Sequence, residues 1–196
     1  MLLPERLEGA VYGHLCGDAL GVPYEFLAAD RIGEVRWQGG GVHGQPPGTW
    51  SDDGALMLAM LDSLLSTGFD TADQGRRAQA WHDEGAYAPG GVVFDVGTST
   101  TVALRALRSG VTAEAAGHVE ARGNGSLRRI LPLSLVDRQT PDAELLEMAF
   151  RATRVTHGSA EAQLAGGAHA LIARRLLEGA KDRPAVLAGA LRVLRT

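Results

Sequence analysis

The sequence predicts an all-α fold, and three observations predict it. Aromatic residues make up only 5% of the chain while hydrophobic residues make up 45%, so the core must be built mainly from Leu, Ala and Val, a vocabulary suited to close-packed helices. Apolar residues recur at spacings of three and four almost throughout, the mark of one buried helix face. No period-two run is long enough for a strand. At 196 residues the chain has room for one domain, 1–196, with a sizeable core, and a second would be cramped.

The elements follow in order. Leu7, Ala10, Val11, His14 and Leu15 share a face of a first helix that ends near Gly21 to Pro23. From Arg31 to Gly48 the density of glycine and proline excludes a regular element, and a long surface loop is expected. Ser51 is placed to cap a second helix from Asp52 to about Ser66, which buries Leu56, Ala59, Met60 and Ser63 and stops at Gly68. A third helix is expected over 72–87, before Pro89-Gly90-Gly91, and a fourth over 98–109. A short apolar helix follows Gly125 and is interrupted by Pro132. Thr140-Pro141-Asp142 reads as a cap, a proline at the first helical position and an early acid, opening a helix that buries Leu145, Met148, Ala149 and Ala152. The next helix is expected to bury Leu164, Ala168, Leu171, Ile172 and the stem of Arg175, and Pro184 opens the last.

Composition also excludes partners. The net charge is −4 and the basic residues are scattered, so the footprint for a nucleic-acid backbone is missing. No apolar run reaches the roughly 18 residues of a membrane span, and acids and an arginine stand where a signal peptide would need its apolar core. The single cysteine, Cys16, cannot form an internal disulfide; it is expected to be small and buried, and a reducing cytoplasm fits.

Five segments carry polar chemistry. Ser51-Asp52-Asp53 joins a hydroxyl to two carboxylates at a helix start, the oxygen donors that hard divalent cations take; the plainer account is a cap with two acids complementing the helix dipole. In the run from Gly13 to Phe26, Gly13, Gly17 and Gly21 at four-residue spacing would let another helix approach, and Glu25, beyond the break at Pro23, is a further oxygen ligand or general base if it is not simply a surface acid. Asp95 and Gly97 precede one helix start, and Gly123, Asn124, Gly125 and Ser126 precede another; free amides there favour phosphate, although most such turns only separate two helices. His157, after Thr156, lies between two helices, where it would serve a ligand or be an idle loop histidine.

Taken in order, Gly-Asp-Ala-Leu-Gly-Val-Pro-x-Glu-Phe at 17–26, Trp-Ser-Asp-Asp at 50–53, Asp-Val-Gly at 95–97, Gly-Asn-Gly-Ser-Leu-Arg at 123–128 with Pro132, and Thr156-His157 resemble the ADP-ribosyl-glycohydrolase family, which includes the dinitrogenase-reductase-activating glycohydrolase. The resemblance runs from Glu8 to about Ile172. It implies an all-helical fold with a binuclear Mg²⁺ or Mn²⁺ centre that hydrolyses the bond between ADP-ribose and a modified protein side chain. On matching positions it implies Ser51, Asp52 and Asp53 as metal ligands, with Glu25 beside the metals. It implies Asp95, Gly97 and the turn 123–126 facing ribose and phosphates, and His157 facing the diphosphate or adenosine side.

The family's second metal motif, Asp-x-Asp followed by Thr or Ser, has no counterpart after His157, where the acids are Glu161, Glu178 and Asp182. A C-terminally shortened hydrolase is therefore expected; the alternative is a non-catalytic member that binds ADP-ribose or serves a structural role. Leu187, Leu191 and Leu194 form an apolar stripe suited to a continuation or to a homo-oligomer.

Overall fold

The computed structural model describes residues 3–135 and 139–195. Among them are nine α-helices and four short 3₁₀ turns, and no strand; an all-α fold is what forms. The helices are α1 (Leu3–Gly21), α2 (Asp52–Thr67), α3 (Thr71–Glu84), α4 (Thr98–Arg108), α5 (Ala113–Ala116), α6 (Gly125–Arg129), α7 (Asp142–Arg154), α8 (Ala160–Leu177) and α9 (Arg183–Val193).

α2 is the hub because it is apolar nearly all round. Met60 joins the largest core cluster with Ile130, Leu133, Leu145, Ala149, Ala170 and Leu171. Ala55 and Leu56 pack with Ala78, Trp81 and Leu104. Met57 packs with Leu131 and Ala173, under Val11 and Leu15 of α1. A helix buried on three sides has its position fixed, and so has whatever its first turn carries. Ser51 caps it as expected, accepting from the Asp53 amide at 3.3 Å, and Gly68 ends it with φ 73°.

Several boundaries and faces differ from expectation, each for a local reason. α3 stops at Glu84 rather than near Tyr87 because Gly85 turns left-handed (φ 73°) and its amide bonds back to Trp81. Pro141 is the cap of α7 rather than its first helical residue: its ψ of 149° is extended, and Thr140 instead offers its carbonyl to Arg174 at 2.6 Å. α5 was not expected, since four residues give no periodicity to read.

Close approach through glycine occurs at α8, not at α1. A Cβ on Gly166 would stand 2.7 Å from Thr153 Oγ1, and one on Gly167 2.7 Å from Leu146 Cδ2, so α7 and α8 meet over that pair. Gly13, Gly17 and Gly21 have nothing within 4 Å of where a Cβ would be. Setting the α7–α8 contact on Gly166 and Gly167 turns Leu164 outward, 46% exposed, against expectation. Cys16 lies on the open side of α1 and is exposed rather than buried. Leu187 and Leu191 remain exposed, while Leu194 packs against the largest cluster. No helix among the described residues is long and apolar enough to cross a membrane.

Candidate active site

The first turn of α2 meets the last turns of α1. Asp18 accepts from the Ser51 amide at 2.9 Å, the Ser51 hydroxyl at 2.8 Å and the Gly54 amide at 2.8 Å, so an acid from α1 caps α2 beside its own Ser51. The approach is close enough that a Cβ on Gly54 would stand 2.9 Å from Asp18 Oδ2. Asp52 is 3% exposed, and the Asp53 side chain 13%. Asp53 is paired with Arg128 of α6, yet the Oδ1 atoms of both Asp52 and Asp53 are buried without a hydrogen-bond partner.

Such burial is costly for a charge, and both carboxyls show it. Burial first, then the neighbouring Asp53, pushes Asp52 up to about 8, against the pull of Arg128. Burial pushes Asp53 up to about 7, again opposed by Arg128 and reinforced by Asp18. Asp95 adds to the field on Asp52 and Glu25 to that on Asp53, so Asp18, Glu25, Asp52, Asp53 and Asp95 form one electrostatic group with Arg128.

The second part of that group is built by loops. Glu25 follows the 3₁₀ turn Val22–Tyr24, and its carboxylate lies 2.6 Å from His43 Nε2; Asp95 Oδ1 is 3.8 Å from the same nitrogen. Glu25, His43 and Asp95 place one ligand atom each within 4.8 Å of one another, a group able to hold a metal ion. Burial, then Asp95, raises the Glu25 carboxyl, and the hydrogen bond from His43 opposes that shift. Phe26 (φ 61°) and Asp95 (φ 52°) hold left-handed backbone, a conformation that costs a non-glycine residue on the order of 1–3 kcal/mol and persists only where the surroundings enforce it.

A third part lies around His157, between α7 and α8. Its Nδ1 is 2.8 Å from Thr156 Oγ1, which accepts from Arg129 at 2.8 Å, and the residue is 3% exposed. Burial first, then Arg129 and Arg128, lowers the ring to about 4, so it is neutral at pH 7. The turn at Gly123 and Gly125 lies against it: a Cβ on Gly123 would stand 3.3 Å from Nε2 and 4.0 Å from Ser99 Oγ in the first turn of α4, and one on Gly125 3.1 Å from Cε1. Neither Gly97, the cap of α4, nor Asn124, the cap of α6, makes a side-chain cap bond. α6 is only five residues long, so the helix expected after Gly123-Asn124-Gly125 brings little dipole; Ser126 inside it is fully buried with an unpartnered Oγ.

The fold thus couples Glu25, Asp52, Asp53 and Asp95 electrostatically beside Ser51, and sets Gly123 and Gly125 against His157, with Asn124 capping α6, Ser126 buried within it and Gly97 opening α4 at Ser99. Sequence reasoning assigned no part to Asp18, Arg128 or His43. The first two stood inside recognisable motifs and carried that signal, whereas His43 stood in a glycine-rich loop that gave none.

A family model described as ADP-ribosylglycohydrolase matches residues 2–196. The chain belongs to that family. It is 33% identical over 193 residues to the ADP-ribosylarginine hydrolase Tri1 of Pseudomonas putida (strain GB-1), covering 97% of this chain and 52% of that protein. It is 30% identical over 160 residues to the ADP-ribosyl-[dinitrogen reductase] glycohydrolase of Rhodospirillum rubrum, covering 78% of this chain and 51% of that one. A solved ADP-ribosylglycohydrolase-related protein complex superposes with a TM-score of 0.80 at 39% identity, over 94% of this chain and 60% of that chain. The chain therefore spans about half the length of the curated relatives it matches.

Proposed function

We propose that the chain carries the divalent-metal and ADP-ribose site of a hydrolase that cleaves the glycosidic bond between ADP-ribose and a modified protein side chain. The observation that carries this reading is the pair of buried, unpartnered carboxylate oxygens at the start of α2, on a chain whose family is defined by ADP-ribosyl hydrolysis. Two acids pressed together in a desolvated site hold their protons unless a cation takes their place, and oxygen donors suit Mg²⁺ or Mn²⁺. Asp52 and Asp53 fit that need directly. Ser51 would join them through its remaining lone pair, since its hydroxyl hydrogen is given to Asp18. When bound, such an ion orients ribose hydroxyls and lowers the pKa of a water ligand.

The residues of this chain do the rest. Asp18 fixes the backbone of Ser51 to Gly54, so the acids cannot swing apart. Arg128 holds one oxygen of Asp53 and leaves the other for a ligand. Glu25 and Asp95 supply carboxylates for proton transfer at the sugar, Glu25 with its proton affinity already raised by burial. His157, neutral and bonded to Thr156, offers Nε2 beside the Gly123 turn, where uncapped amides of α4 and the small residues leave room for phosphate oxygens.

The test is release of ADP-ribose from an ADP-ribosylated arginine or serine peptide, with Mg²⁺ or Mn²⁺. Asp52→Ala and Asp53→Ala are expected to abolish it. Binding of ADP-ribose without release, where a full-length relative turns over, would favour a non-catalytic binding role; neither binding nor release would overturn the reading.

A further inference from the structure

Residues 39–48 read in sequence as solvent-exposed loop, yet they deliver one of the better-enclosed side chains of the site. The His43 side chain is 14% exposed, its ring tilted against Phe94 at 5.1 Å and edge-on to Phe26 at 6.0 Å. The loop is seated by its own bonds and by glycine. The Gly40 amide donates to the Gln45 carbonyl at 2.8 Å, and Gln45 Nε2 donates to the His43 carbonyl at 3.1 Å. Gly41, with φ +67°, lies so close to the turn after α1 that a Cβ would stand 2.6 Å from the Pro23 carbonyl oxygen. The same contact that presses the loop onto Pro23 brings His43 to Glu25, two residues further along.

Geometry separates two roles for the imidazole. Two ligands of one tetrahedral zinc, each about 2.0–2.1 Å from the ion, stand about 3.3 Å apart, and imidazole is a poor partner for Mg²⁺, which takes oxygen. The 2.6 Å between His43 Nε2 and Glu25 Oε2 is shorter than that and is the separation of a short hydrogen bond. Asp95, at 3.8 Å, lies outside hydrogen-bond range of the same nitrogen and contributes charge.

We propose that His43 is a positioning residue for Glu25: its Nε2–H donates to one carboxylate oxygen, fixes the side-chain rotamer and leaves the other oxygen to face the substrate. The groups around the ring are Glu25, Asp95, Phe26 and Phe94, so the carboxylate it serves is Glu25, and the two aromatic rings set its plane. The inference rests on the reading of Glu25 as a carboxylate of the hydrolytic site.

The experiment compares the unmutated chain with His43→Phe, which keeps ring packing without a donor, and His43→Gln, which keeps a donor. His43→Phe is expected to lower kcat about 10- to 100-fold with KM within about twofold, the usual range for a partner that orients a reacting group, and His43→Gln to recover most of the loss. A crystal structure of His43→Phe should show the Glu25 carboxylate displaced, a readout that holds even if the chain releases no ADP-ribose and the hydrolase reading itself fails. Full activity in His43→Phe, or an unmoved Glu25, would overturn the proposal. So would stoichiometric binding of Zn²⁺ alone that His43→Phe abolishes, since His43 would then be a ligand. If His43→Phe does not fold, Gly41→Ala, which unseats the loop at Pro23, is expected to give the same kcat loss and the same Glu25 displacement; wild-type values in that variant would overturn the proposal.

Discussion

The first turn of α2 and the α7–α8 contact are both buried, but they are built on opposite terms. Between α7 and α8, glycine, alanine and leucine close over one another: Leu145, Ala149, Ala152 and Ala170 are fully buried, and the polar atom left without a partner there, Thr153 Oγ1, is a neutral hydroxyl. At the first turn of α2, two carboxylates are enclosed with oxygens that nothing answers. The apolar contact gains free energy from every Å² it hides, whereas the acidic turn loses it and is held only because α2 is pinned on three other sides. One region holds the fold together, and the other is carried by it.

Four measurements test that contrast. The largest effect is expected from Leu145→Ala, which empties a fully buried site in α7 and should cost about 2–5 kcal/mol in urea unfolding, with ADP-ribose affinity of the folded fraction unchanged. Asp18→Asn comes next, at about 1–3 kcal/mol, because the three donors it answers lose their charged acceptor; unlike the first, it should also weaken Mn²⁺ binding in calorimetry.

The third is a pH profile. Asp52 keeps its proton up to about pH 8 when folded but releases it near 3.8 when unfolded, and Asp53 behaves alike up to about 7. Between those limits the folded state binds more protons, so stability present in acid is lost as pH rises. Metal-free melting temperatures should fall by several degrees from pH 5 to pH 8, and Asp52→Asn should remove much of the slope. Added Mg²⁺ or Mn²⁺ should stabilise most at the alkaline end, where both acids are ionised; a flat metal-free profile would contradict the enclosed acid pair. The smallest effect is expected from Leu164→Ala, within about 0.5 kcal/mol, because that side chain faces solvent.

Much of this was legible in the chain. The spacing of Leu56, Ala59, Met60 and Ser63 located the buried face of α2, Ser51 and Gly68 marked its ends, and the order of five short motifs pointed to the family. Local chemistry settles such features, because caps and helical periods act within a few residues.

What the chain alone did not decide is which distant groups meet. The four-residue spacing of Gly13, Gly17 and Gly21 pointed to α1 as the close-packed helix, and only packing shows that α7 closes on the adjacent Gly166 and Gly167 of α8 while Gly13 and Gly17 stay open. Likewise Ser51-Asp52-Asp53 reads identically as a dipole-complementing cap or as a cation site. Asp18 arriving from 33 residues away, Arg128 from 75, and the closure of water from both Oδ1 atoms make the difference. Helix, cap and motif follow from neighbours along the chain; the enclosure of two acids together does not, because desolvation and charge coupling exist only once separate segments are brought into contact.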